Sequence, residues 1–113
     1  MKKEGYPKSI RIKKESEFRQ IINEGIKKRG DNLIVFRRPR GAETGRKFGI
    51  KIGKGIKKAN ERNKIKRIIR EVLRKNKDRF AENESVVVLC MSTAAGEEPH
   101  RLREELEDLI HGV

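Results

Sequence analysis

The sequence predicts an α+β sandwich. Three observations carry that expectation. Ile65, Ile68, Ile69, Val72 and Leu73 fall at i, i+3, i+4, i+7 and i+8, one apolar stripe of a central helix. Short β-branched and aromatic runs lie on both sides of it, and helical patterns recur near each end of the chain. A strand, then a helix, then another strand suggests a crossover within one sheet.

Taken in order, residues 1–9 read as a loose basic arm, broken by Gly5 and Pro7. Residues 16–24 turn helical: Phe18, Ile21 and Ile22 share a face, Ser16 is placed to cap the start, and Gly25 offers a left-handed stop. Leu33, Ile34, Val35 and Phe36 form a strand, after which Pro39, Gly41 and Gly45 mark a loop. Phe48, Ile50 and Ile52 alternate with Gly49, Lys51 and Gly53, giving a second strand with one core face and one small-or-basic face. The central helix runs over about residues 58–76. Its side opposite the apolar stripe carries Asn63, Arg67, Arg70 and Arg74, flanked by Lys66 and Lys77. Residues 85–91 read as a buried strand. Pro99, preceded by Glu97 and Glu98, opens a last helix that packs through Leu102, Leu106, Leu109 and Ile110.

A chain of 113 residues makes one compact domain, 1–113. Its formal charge is +13, and that charge is polarised. Residues 46–79 hold 15 Lys and Arg against 3 Asp and Glu, whereas residues 80–113 hold 2 against 8. Such a division suits a polyanion docked on one side. No stretch approaches the roughly 18–20 apolar residues of a membrane span, and the opening residues lack a signal-peptide core, so the expected location is cytoplasmic. The single cysteine, Cys90, excludes an internal disulfide and a cysteine-based zinc cage. It sits in an apolar run and reads as a buried structural thiol.

Nothing assembles a protein active site. His100 and His111 lie in the acidic final helix region and read as solvated. Glu104, Glu105, Glu107 and Asp108 offer oxygen ligands, but without a second ligand source they read as a solvated helix face. Gly49, Gly53 and Gly55 lack the spacing of a dinucleotide or P-loop fingerprint. Binding is the stronger signal. A helix face of like charges is kept at a cost, and it neutralises phosphates with release of counterions. With four Phe, one Tyr and no Trp, base stacking has only one or two platforms.

Phe48-Gly49-Ile50-Lys51-Ile52, followed by Ala59-Asn60-Glu61-Arg62-Asn63-Lys64-Ile65-Lys66-Arg67-Ile68-Ile69-Arg70-Glu71, resembles the signature of the bacterial ribonuclease P protein subunit. Arg11-Ile12-Lys13-Lys14 with Phe18, Ile22 and Gly25 looks like that family's first helix, and residues 86–89 look like its late strand. Ile22 stands where the family usually has a second aromatic, Gly55, Lys57 and Lys58 replace its common residues before the helix, and Cys90 stands where Arg is frequent.

The resemblance implies an α-β-β-β-α-β-α sandwich with a central mixed sheet and a left-handed crossover, similar to domain IV of elongation factor G. It implies a subunit that binds the catalytic RNA through Arg62, Asn63, Lys64, Lys66, Arg67, Arg70 and Arg74. It further implies a cleft for the single-stranded 5′ leader of precursor tRNA, lined by Lys14, Phe18, Ile22, Ile34, Phe36 and Lys51. On this expectation the holoenzyme is an endoribonuclease whose catalysis is carried by RNA, with Mg²⁺ required there and no cofactor held by the protein alone. Its partners would be the catalytic RNA and precursor tRNA, with no membrane and no protein partner required. The alternative is a ribosomal-type or general RNA-chaperone protein, which composition fits nearly as well. A stand-alone nuclease lacks a catalytic constellation.

Overall fold

The computed structural model describes residues 11–40 and 45–111; the basic arm expected at 1–9 lies outside them. The elements run α1 (Glu15–Glu24), β1 (Ile26–Arg29), β2 (Leu33–Pro39), β3 (Lys47–Ile52), α2 (Ala59–Lys75), β4 (Glu84–Cys90) and α3 (Pro99–His111). The strands form one mixed sheet in the order β1-β2-β4-β3. β4 pairs antiparallel with β2 and parallel with β3, and α2 makes the connection that the parallel pair needs.

Central position explains the composition of β4. Strands flank it on both sides and helices cover both faces, so Val86, Val87 and Val88 are all fully buried. The alternation along the strands sorts the core into two. Leu33, Val35, Phe48, Val86, Val88 and Cys90 face α2 and α3. There they meet the Ile65–Leu73 stripe and Leu102, Leu106 and Ile110, with Phe80 packed edge-on against Phe48 at 5.6 Å between ring centres. Ile34, Phe36 and Val87 point the other way and pack with Ile12 and Ile21 under α1.

Cys90 is fully buried, and loss of hydration pushes its thiol up to about 11, with the carboxylates of Glu105 and Glu61 adding to the effect. One member of the acidic helix face is not merely solvated. The Glu105 carboxylate accepts hydrogen bonds from the backbone N–H of Asn32 (2.7 Å) and Leu33 (2.8 Å) and from Asn32 Nδ2 (3.1 Å). It ties α3 to the β1–β2 turn.

Three local expectations are corrected. Helix α1 starts at Glu15 after Lys14, with no side-chain cap, so Ser16 lies inside the first turn. Gly25 is not left-handed, since its φ is −75°. It is needed for close approach: a Cβ there would stand 2.6 Å from the Ile21 carbonyl oxygen and 3.1 Å from that of Arg37. Pro39 belongs to β2 as its last residue, paired with Glu84, rather than to a loop.

Candidate nucleic-acid interface

The strand register lays out the α1 side of the sheet in three rows. The first row is Arg29, Ile34, Leu89 and Lys51, read from β1 across to β3. The middle row is Lys27, Phe36, Val87 and Gly49, and the third is Arg38, Ser85 and Lys47. Helix α1 covers the middle row from β2 to β3, leaving Lys27 exposed: Ile21 packs in the cluster with Phe36 and Val87, and the Phe18 ring reaches Gly49. A Cβ at Gly49 would stand only 2.6 Å from Phe18 Cε1, so the aromatic edge occupies the space that any other side chain would fill.

The first row remains partly open beside α1. Phe18, Ile22, Leu89 and Met91 are half-buried around a floor that includes Ile34. At the β3 end, the Lys51 ammonium lies 5.6 Å over the Phe18 ring and donates to Glu15 at 2.7 Å. That hydrogen bond, followed by the charge of Lys51, holds the Glu15 carboxyl below the usual carboxylate range.

Of the six expected cleft residues, Phe18, Ile22, Ile34 and Lys51 come together here. Phe36 is buried beneath α1. Lys14 lines a different cavity, on the other flank of the helix. Leu89 and Met91 belong with the cleft and went unrecognised, because residues 85–91 read as one fully buried run. The period-2 alternation of β4 is the signal that would have separated Leu89 from its neighbours.

On helix α2, Asn63, Lys64 and Arg67 are exposed, and Lys66, Arg70 and Arg74 are half-buried. Lys64 stands towards α3, in a cavity it shares with Glu61, Glu97 and Glu98. Lys66 and Arg70 stand towards α1. With Arg11, Phe18, Phe48 and Gly49 they line a cavity of about 110 Å³ that joins the cationic helix to the cleft.

Arg62 is turned inward. Its Nη1 donates to the carbonyls of Ile56 (2.8 Å) and Gly53 (3.1 Å), fastening the β3–α2 connection to the first turns of α2. His100 and His111 are exposed. Among the described residues no group of three or more His, Cys, Asp or Glu is placed to hold a metal ion.

A family model described as Ribonuclease P matches residues 6–113. The chain belongs to the ribonuclease P protein family. Curated ribonuclease P protein components resemble it along most of their length. The one from Dictyoglomus turgidum is 40% identical over 85 residues, 74% of this chain and 70% of that one. The one from Desulforamulus reducens is 29% identical over 99 residues, 88% and 87% of the two chains. The solved RNase P protein of Staphylococcus aureus superposes with a TM-score of 0.82 at 26% identity, covering 92% of this chain and 94% of that one. The α+β sandwich is therefore that of the bacterial ribonuclease P proteins. The chain serves tRNA processing as a ribonuclease P protein component, with an RNA partner in the holoenzyme. No helix of the described residues is long and apolar enough to cross a membrane.

Proposed function

We propose that this subunit grips two RNAs at once: the catalytic RNA along the outward side of α2, and the 5′ leader of precursor tRNA in the Phe18–Lys51 cleft. The observation that carries the reading is the cavity shared by Phe18, Lys66 and Arg70, which makes the two surfaces continuous. Phosphates of both strands would meet cations from one helix, releasing counterions from each. The Phe18 ring and the Ile34–Leu89 floor offer apolar contact to unstacked leader bases, and Lys51 offers charge to the phosphate beside them. Mature tRNA has no leader, so this cleft favours precursor over product.

Chemistry at the phosphodiester is assigned to the RNA. The outward side of α2 is guanidinium and ammonium, a donor set that repels a divalent cation, so Mg²⁺ would be held by RNA oxygens and would activate water there. The protein's contribution is charge and position, in the cytoplasm where tRNA is processed.

Reconstitution tests this. RNase-free protein alone leaves precursor tRNA intact, and adding a bacterial ribonuclease P RNA restores cleavage at lower Mg²⁺ than the RNA alone requires. Cleavage by the protein without RNA would overturn the assignment.

A further inference from the structure

Helix α1 divides its side of the sheet, and the leader reading uses only one of the two grooves it creates. The other runs along the third row, Arg38, Ser85 and Lys47. It opens into a cavity of about 410 Å³ lined by Lys14, Glu17, Gln20, Arg38, Arg40 and Ser85. That volume falls within the roughly 300–1,000 Å³ of small-ligand sites. Four cations border the groove, counting Lys47 by its register with Ser85. Two carboxylates are near: Glu17 in the lining, and Glu24, which accepts from Arg38 Nε at 3.0 Å. Ser85 is 3% exposed and lines the floor of the cavity.

We propose that this groove is a second RNA-backbone site, which takes a phosphodiester and its ribose hydroxyls. Arg38, Arg40, Lys14 and Lys47 supply the charge, and Ser85 and Gln20 supply polar contacts at its floor and wall. The difference from the leader cleft is chemical. No aromatic side chain among the described residues lines this cavity, so it offers bases no stacking platform there and reads backbone without regard to sequence. The occupant is the backbone of the folded catalytic RNA, whose bases are already stacked, rather than the unstacked leader, which finds its aromatic contact in the Phe18 cleft.

The experiment is equilibrium binding by the full-length chain at several salt concentrations. One arm uses a bacterial ribonuclease P RNA. The other uses the reconstituted holoenzyme with precursor tRNAs of short and long leader. Arg38→Gln/Arg40→Gln and, separately, Gln20→Glu are compared with wild type, with Arg67→Ala as the reference. Gln20 is exposed and makes no ion pair, so Gln20→Glu adds repulsion without removing a structural contact and decides the matter if the double variant unfolds.

The expected loss is roughly tenfold in affinity, with the salt slope reduced by about one unit for each lost phosphate contact in the arginine variant. Loss in the first arm identifies the catalytic RNA as occupant. Loss confined to long-leader precursor overturns the catalytic RNA as occupant. Wild-type binding by folded variants in both arms, while Arg67→Ala binds weakly, overturns the second site and leaves the α2 reading standing. If Arg67→Ala also binds normally, the α2 reading itself fails.

Discussion

The Phe18 ring lies against the backbone of Gly49, where a Cβ would come within 2.6 Å of Cε1 and 3.2 Å of Ile12 Cβ. A glycine in mid-strand ordinarily weakens a sheet. Here it sets the depth of the cleft, because the aromatic can sink only where the strand has no side chain. Gly49→Ala therefore pushes Phe18 outward. Precursor tRNA is expected to lose affinity relative to mature tRNA, and Phe18→Ala to do the same by about 1–3 kcal/mol. Competition binding with the two tRNAs measures this. Equal loss for both would mean that the ring only fills the core.

Arg67 is exposed on the outward side of α2. Arg67→Ala is expected to leave the melting temperature within about a degree or two, as surface substitutions do. It should lower the slope of log K against log salt for the catalytic RNA by about one unit. An unchanged slope would remove Arg67 from the interface.

Arg62 behaves differently, although it sits five residues before Arg67 in the same signature. Its guanidinium is spent on the Gly53 and Ile56 carbonyls. Arg62→Ala should cost about 1.5–3 kcal/mol in denaturant unfolding. Arg62→Lys should recover only part of it, because an ammonium cannot reproduce the planar fork. A variant with wild-type stability and a lost phosphate contact would reverse this assignment.

The Glu15–Lys51 pair has a defined pH signature. Because the folded carboxyl is held below its ordinary value, the pair contributes above the unfolded carboxylate range and is lost as pH falls through the lowered folded value. In a carbon-detected titration Glu15 should protonate below the usual carboxylate range, and Lys51→Ala should return it to that range. Glu15→Gln should also strengthen leader binding, since phosphate no longer competes with a carboxylate for Lys51.

The regular parts of this fold were legible because their periodicities were strong. The α2 stripe and the helix opened by Pro99 appear where the pattern places them. Strand β1 was not read from its residues, for a physical reason. Ile26-Lys27-Lys28-Arg29 has no apolar alternation, and Ile26 is 74% exposed; the segment is a strand because β2 beside it needs a partner. The site was legible in outline only. A helical wheel separates the outward side of α2 from its apolar stripe but does not reveal that Arg62, at the margin, finds carbonyls within reach. Nor does it reveal that Lys14 and Phe18, four residues apart, line different cavities, because Lys14 is the extended residue that precedes α1 and so escapes the i, i+4 spacing.

Strand β1 leaves one margin of the sheet without a neighbouring strand among the described residues, yet every residue after Ile26 in it is cationic. Two copies meeting there would bring lysine against lysine before any backbone hydrogen bond formed. The basic side chains of this strand thus guard that border against sheet-to-sheet zippering.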